Sequence, residues 1–339
     1  MVILQIGSSN QVHAMSKEIP PTSLTATPEL AIGLLTDQVT ELLPLQQKIA
    51  SCASYDEKIS LVQSLPHVKE FFGKNPQLEE AIMSLPVHLR YVVTLVVALN
   101  QGQVLFANWQ DVPERRCSLE QLANTLYETE RFYDYMGGIA GYHVKTLELM
   151  SNQLAKKAEP DHAKLLLPPS TDIRQDSLAR KKMVKDSIAS LGQMAEMYVV
   201  GGAGDRLALV DEKTQMPLPV ARLGFAGHTL LENLVRDLQA REYLAYKLTG
   251  SQVVTPIVLM TSHEKNNDAQ IAAILDERAY FGRPKESIFR LLQPMTPVLA
   301  IDGKWAVRGP LEPILKPGGH GVIWKLADEY GAFDWLVKQ

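Results

Sequence analysis

Cysteine is nearly absent from this chain, with two residues in 339, Cys52 and Cys117. They cannot form a disulfide framework and lack metal-ligand spacing, which points to a reducing compartment, the cytoplasm. Long apolar runs are missing too. The longest, Tyr91–Leu99, is too short to cross a bilayer and reads as a buried helix. The opening Met1-Val-Ile-Leu-Gln-Ile6 has neither a basic region nor a long apolar stretch, so neither a signal peptide nor a membrane partner is expected. No charge of one sign dominates: 34 Lys and Arg stand against 38 Asp and Glu, a net charge of -4, which leaves no electrostatic footprint for nucleic acid. Several catalytic signatures are absent: Gly-x-x-x-x-Gly-Lys-Ser/Thr, Gly-x-Ser-x-Gly, His-Glu-x-x-His and any convincing carboxylate pair. Gly202-Ala203-Gly204 lacks the third glycine of a dinucleotide fingerprint, because Leu207 stands there.

What remains is an ordinary folded composition, 46% hydrophobic and 21% charged, long enough for two domains. Residues 1–28, rich in Ser, Thr and Pro, read as a flexible tail. Residues 29–166 read as a helical N-terminal domain. Ala31, Leu34, Leu35, Val39, Leu42 and Leu43 share one helical face before Pro44 disturbs it. Ser118 and Gln121 have capping-box spacing, and Gly137–Gly141 reads as a turn between helices. His67, His88, His143 and His162 are scattered without ligand spacing and read as surface or packing residues. Residues 167–195 form a linker, Leu167–Asp172, and a lead-in helix whose Val184, Ile188, Leu191 and Ala195 share a face; Arg180, Lys181, Lys182 and Lys185 read as its solvated side.

From residue 196 to 339 strands alternate with helices, the grammar of a mainly parallel α/β sheet. Met197–Val200 feeds a glycine-rich turn at Gly201, Gly202 and Gly204. Such a turn either cradles a phosphate or base edge with its backbone amides or only reverses the chain. Thr229 and Glu232 form a capping box for a helix that Gly250 ends, Val253–Met260 is a strand closing in Thr261-Ser262, Gln270–Ala279 is helical, and Phe289–Pro294 is a strand. Lys316–Leu326 holds a second glycine turn opening a helix. Ligands of open α/β sheets bind beyond the carboxyl ends of the strands, so Gly201–Arg206, Thr261–Lys265 and Gln293 should meet at one crevice, with Gly318–His320 on a fourth side. Two glycine turns, one amide able to read a base edge, and cations at Arg206, Lys265 and Lys316 suit a nucleoside triphosphate.

Gly201-Gly-Ala-Gly-Asp-Arg-Leu207, Met260-Thr-Ser262, Gln293 and Pro317-Gly-Gly-His-Gly321 occur in the order that resembles the UTP–sugar-1-phosphate uridylyltransferases, the UDP-glucose and UDP-N-acetylhexosamine pyrophosphorylases. Leu218-Pro219, Asp237-Leu-Gln-Ala-Arg-Glu242 and Lys316–Leu326 resemble the plastid-type UDP-glucose pyrophosphorylase branch. The resemblance covers 170–339 at motif level and implies a nucleotidyltransferase-type, doubly wound, mainly parallel sheet behind an all-α domain. It further implies a Mg2+-assisted reaction of UTP with a sugar 1-phosphate, giving a UDP-sugar, UDP-glucose foremost, and pyrophosphate. Carried over, Gly201, Gly202, Ala203 and Gly204 hold the nucleotide with backbone amides and Arg206 is the catalytic cation facing the triphosphate. Gln293 reads uracil, Gly319 lies beneath the base, and His320 is either near the nucleotide or a helix cap. The lysine of the usual Gly-x-x-x-Pro-Lys is missing, leaving Lys213, Lys265 or Lys316 to contact phosphate. The family's metal-binding aspartate and sugar-binding half lie beyond the Pro317–Gly321 turn, so the expectation is a chain that stops before its site is complete, with no metal ligand of its own. The rival expectation is a non-catalytic, degenerate uridine-nucleotide-binding or scaffold protein, and the helical domain is a candidate for self-association.

Overall fold

The computed structural model describes residues 28–155, 174, 176–202, 204 and 207–339. The expected tail before residue 28, the Leu167–Asp172 linker, His162, Ala203 and Arg206 lie outside the described residues. In chain order the helices are α1 (Pro28–Ala50), α2 (Tyr55–Gln63), α3 (Pro66–Lys74), α4 (Pro76–Met83), α5 (Val87–Ala98), α6 (Gly102–Leu105), α7 (Pro113–Phe132) and α8 (Gly138–Ala155). After them come α9 (Leu178–Ala189), β1 (Glu196–Val199), β2 (Gly224–Phe225), β3 (His228–Thr229), α10 (Leu230–Thr249), β4 (Ile257–Thr261), α11 (Asn267–Glu277), β5 (Ile288–Leu292) and β6 (Met295–Pro297). The chain closes with β7 (Val307–Gly309), β8 (Glu312–Pro313), β9 (Leu315–Pro317), α12 (Val322–Glu329) and α13 (Ala332–Val337). The described residues fall into two compact units: those of 1–116, 133–160 and 299–306, and those of 117–132, 161–298 and 307–339.

The first unit is helical. Its hub is α5, where Tyr91–Leu99 is buried without a break because helices surround it, as the apolar run demands. Helix α1 packs on α8 and runs through Pro44 without stopping, contrary to the expectation from sequence. Proline removes one backbone donor there, yet Leu42, Leu45 and Ile49 on either side are buried, and their packing outweighs the lost hydrogen bond. Ser118 likewise does not cap a helix: α7 already begins at Pro113, a residue suited to a first helical position. The hairpin at 299–306 returns to this unit. Gln38 Nε2 donates to the Asp302 carbonyl at 2.8 Å, and the buried Trp305 donates its backbone N–H to Gln101 Oε1 at 2.8 Å. The Trp305 indole N–H also donates to His143 Nδ1 at 3.2 Å, so the His143 proton sits on Nε2, which is buried without a partner.

The second unit is mixed α/β. Its sheet has the order β1-β4-β5 with parallel pairing throughout, Glu196 opposite Ile257 and Ile257 opposite Ile288. The central strand, β4, is wholly buried, so both its faces are covered and its sequence is apolar rather than alternating. Ile257 and Leu259 meet Leu231, Val235 and Leu238 of α10 and Ile271, Ile274 and Leu275 of α11. On the opposite face Phe289 packs against Trp335 of α13, ring centroids 5.2 Å apart. The expected capping box of α10 is present, with Thr229 and Glu232 exchanging hydrogen bonds, and Gly250 ends the helix in the left-handed region at φ 76°.

The amino ends of the strands are held by charge. Arg241 pairs with Glu196 at the start of β1 and with Asp237 one turn back at 3.0 Å. Arg283, buried, donates to Glu242 at 2.7 Å and to the Thr255 carbonyl, while the Thr255 N–H donates to Glu242 at 2.7 Å. The Asp237–Glu242 block on α10 thus anchors the approach to β1, β4 and β5.

Glu242→Ala should leave the Arg283 guanidinium buried beside an empty site and cost about 3–5 kcal/mol in urea unfolding, whereas Glu242→Met with Arg283→Met should cost much less. Burial lowers the His143 pKa from 6.5 to about 4. The unfolded chain therefore takes up a proton below pH 6.5 that the folded chain refuses until about 4. Stability contributed by the neutral ring is complete above pH 6.5 and is lost as the pH falls through that window, by roughly 3 kcal/mol in all. Unfolding free energies measured between pH 7 and 4 should show this slope, and His143→Phe should flatten it.

Candidate functional site

The three parallel strands end side by side, and their carboxyl ends are bound together mostly by neutral hydrogen bonds. After β1 the chain enters Val200-Gly201-Gly202, with the Val200 N–H donating to the Met260 carbonyl at 3.0 Å. After β4 come Ser262 and, across a short turn, Asn267, both buried. Asn267 Nδ2 donates to the Val200 carbonyl at 2.9 Å while its Oδ1 accepts the Ser262 N–H at 3.0 Å. The Ser262 hydroxyl donates to the Gly201 carbonyl at 2.9 Å. After β5, the Gln293 N–H donates to the Thr261 carbonyl at 3.0 Å. Thr261 in turn donates its hydroxyl to Asp268 at 2.8 Å, and Asp268 accepts from Arg290 at 3.0 Å.

Gln293 is the chemical centre of this cluster. Its side chain lies against Gly201, where an added Cβ would stand 2.4 Å from Gln293 Nε2 and 3.0 Å from the Thr261 carbonyl carbon. Glycine is required at 201 by this close approach rather than by backbone angle. Gln293 is 3% exposed and its Oε1 is buried with no hydrogen-bond partner among the described residues. An unpartnered buried amide oxygen is costly unless a ligand supplies a donor.

The second glycine turn joins the same end of the unit. Strands β6 and β9 pair antiparallel, Met295 opposite Pro317, directly after Gln293-Pro294, and the Gly318 N–H donates to the Pro294 carbonyl at 3.2 Å. Lys316 pairs with Glu264, in the loop after β4, at 2.9 Å. Gly319 has φ +97° with open space around it, a conformation that favours glycine. His320 is exposed, and its carbonyl accepts the Ile323 N–H at 3.3 Å as α12 begins. Lys265 and Asn266 occupy the left-handed region in succession, at φ 50° and 55°, an unusual strain for non-glycine residues.

Of the residues singled out by sequence, the structure packs Gln293 against Gly201 and pairs Lys316 with Glu264, the chain neighbour of Lys265, while Gly202, Gly319 and His320 lie further along the two glycine turns. Gly202 accepts the Val220 N–H at 3.3 Å, and Gly204 turns at φ +64° against the Val220 side chain. Lys213 does not join them: it sits exposed in a turn that Asp211 closes on itself, accepting the Lys213 and Thr214 N–H groups at 3.0 and 2.7 Å. Ala203 and Arg206 lie outside the described residues. Sequence reasoning missed Asn267 and Asp268. The signal was present as Asn266-Asn267-Asp268 at the head of a helix, residue types that bond local backbone.

The carboxyl ends of the parallel sheet, where open α/β sheets bind their ligands, thus carry one glycine turn and a buried amide, and a second glycine turn follows the β6–β9 pair. The chain is related to the UTP–sugar-1-phosphate uridylyltransferases, the UDP-sugar pyrophosphorylases. It is 44% identical over 225 residues to the protein named UTP–glucose-1-phosphate uridylyltransferase 3, chloroplastic, of Arabidopsis thaliana, and this bears out the resemblance to the plastid-type branch. That match takes in 62% of this chain and 25% of the relative, so the chain spans about a quarter of the length of the curated relative it matches. Among solved structures it is similar to the uridine diphosphate N-acetylglucosamine pyrophosphorylase of Trypanosoma brucei in complex with inhibitor, with 21% identity, a TM-score of 0.49, and coverage of 72% of this chain and 45% of that one. No family model matches the chain.

Gly201→Ala should displace the Gln293 side chain and cost about 1–3 kcal/mol of stability by overpacking. Gly202→Ala, with nothing within 4 Å of its added Cβ, should stay within about 0.5 kcal/mol of the parent in the same urea titration.

Proposed function

We propose that this chain carries the uridine-nucleotide half of a UTP:sugar-1-phosphate uridylyltransferase, which makes a UDP-sugar, UDP-glucose foremost, and pyrophosphate. The observation that carries this reading is the buried Gln293 amide, whose Nε2 abuts Gly201 and whose Oε1 has no hydrogen-bond partner among the described residues. Uracil offers an N–H between two carbonyls, so Oε1 would accept from the ring N–H while Nε2 donates to a neighbouring carbonyl. In the same pose cytosine would set the lone pair of that ring nitrogen against Oε1. Gly319 would lie beneath the base, His320 near the nucleotide, and the amides of Gly201, Gly202, Ala203 and Gly204 along the ribose and phosphates.

In the proposed reaction the phosphate oxygen of the sugar 1-phosphate attacks the α-phosphorus of UTP, forming one P–O bond as the bond to pyrophosphate breaks. The protein's part is positioning and charge neutralisation. Arg206 is proposed to face the triphosphate, with Lys265 and Lys316 as phosphate contacts; Lys316 would exchange its pairing with Glu264 for the ligand. The resemblance implies Mg2+. Among the described residues no group of three His, Cys, Asp or Glu could hold a metal ion, and no step is routed through it. The relationship to a protein named as a uridylyltransferase favours turnover over a degenerate scaffold.

The finer architecture belongs to the same proposal: helices on both faces of the parallel sheet support a doubly wound sheet, and residues 29–166 are proposed as a helical domain for self-association. Cys52 and Cys117 are free, which supports a reducing compartment. The cytoplasm is the proposed one, although the name of the Arabidopsis relative places that protein in the chloroplast. No described helix is long and apolar enough to cross a membrane.

Calorimetry should show UTP binding at least about tenfold tighter than CTP, a difference of ~1.4 kcal/mol, and Gln293→Ala should remove that preference. Equal affinity of the parent chain for UTP and CTP would overturn the assignment of Gln293.

A further inference from the structure

The basic run that begins at Arg180 is not simply the solvated side of its helix. Lys181, Val184, Lys185 and Ile188 recur at the spacing of a single face of α9, and Leu244, Lys247 and Leu248 do the same on α10. The two stripes face each other across an open groove of about 650 Å³, completed at one end by Arg174, Asp176 and Arg180. Its floor is aliphatic, with Val184, Leu244 and Leu248 57%, 51% and 48% exposed, and α9 buries no residue at all. Lys181 is paired with Asp176 at 2.7 Å, the one acid lining the groove among the described residues. Lys185 and Lys247 are exposed and make no ion pair with a described residue. Among the described residues no third helix covers these two aliphatic stripes edged by lysine, and the charge on the edges sets what a helix docking there must carry.

We propose that the α9–α10 groove docks an acidic amphipathic helix of a partner protein. The partner's apolar stripe, at i, i+3, i+4 and i+7, would lie on Val184, Ile188, Leu244 and Leu248, and its flanking Glu or Asp side chains would meet Lys185 and Lys247. A bilayer is the poorer fit because the apolar side chains line a concavity between two helices rather than a protruding face. Nucleic acid is the poorer fit because the chain as a whole is acidic, with a net charge of -4.

The test uses the full 339-residue chain and a fluorescein-labelled synthetic helix of about 18 residues, five turns, with a leucine stripe and glutamate on its flanks. A matched peptide with lysine in place of glutamate is the control. Anisotropy should show binding of the acidic peptide alone, weakening with added salt. Lys185→Glu with Lys247→Glu should weaken it by about tenfold or more, and the same variant should gain affinity for the lysine peptide. Leu244→Asp should abolish binding of the acidic peptide, with far-UV circular dichroism confirming that both variants fold as the parent does. Equal binding of the two peptides, no binding of either, or an unchanged affinity in the double variant would overturn the proposal. So would co-sedimentation with phosphatidylglycerol vesicles that Lys185→Glu with Lys247→Glu abolishes while leaving peptide binding intact. A dimer that those two substitutions dissociate would instead assign the groove to a second copy of the chain.

Discussion

One side-chain amide holds the candidate site together. Asn267 donates to the carbonyl that ends the first strand's run and accepts the N–H that follows the central strand, so a single planar group fixes the spacing of two strand ends. The Ser262 hydroxyl extends the tie to Gly201, and the Gln293 N–H extends it to the third strand. Break the Asn267 bracket and Gly201 loses its register against Gln293. The two ends of the sheet are fastened by different means. At the amino ends, Glu196–Arg241 and Glu242–Arg283 are ion pairs whose charges are consumed by each other. At the carboxyl ends the ties are mostly neutral, satisfied in backbone pairs, and leave one amide oxygen unspent. Neutral hydrogen bonds hold geometry without setting up a field that would compete with an anionic ligand.

Much of this end of the molecule was legible in the residues. The apolar runs before Gly201, Thr261 and Gln293 read as strands of a mainly parallel sheet, and the Thr229–Glu232 pair announced the helix between the first two. Gln293 stood out as an amide at the carboxyl end of an apolar strand, able to read a base edge. What escaped was tertiary. Asn267 reads locally as one of several loop polar residues, and its role depends on which carbonyl happens to lie above it. Trp305 finds Gln101 across 204 positions, a pairing that no local pattern encodes. Pro44 and Ser118 were misread for the opposite reason. Local rules said stop and start, and buried packing of Leu42, Leu45 and Ile49 in one case and an earlier proline start in the other overrode them.

The Asp237–Glu242 block shows how one motif divides its labour. In the sequence it served only as a point of resemblance. In the fold Arg241 and Glu242 face the strand origins, while Leu238 enters the core and Asp237 steadies Arg241 from the surface. The sheet is therefore closed at one end by the same helix that packs its face, and this leaves the carboxyl end as the side on which loops are free to carry chemistry. The proposed phosphoryl chemistry would use this division between a rigid floor and receptive loops.

The central claim is that Gly201–Gly204, Gln293 and the Gly318–His320 turn form one uridine-nucleotide crevice. Photocrosslinking with 4-thiouridine triphosphate, read by peptide mass spectrometry, tests it most directly. The account predicts crosslinks confined to peptides that carry residues 200–204, 293 or 317–321, suppressed by excess UTP and lost in Asn267→Ala. Crosslinks elsewhere in the chain that UTP suppresses equally well, with those three peptides unmodified, would contradict it.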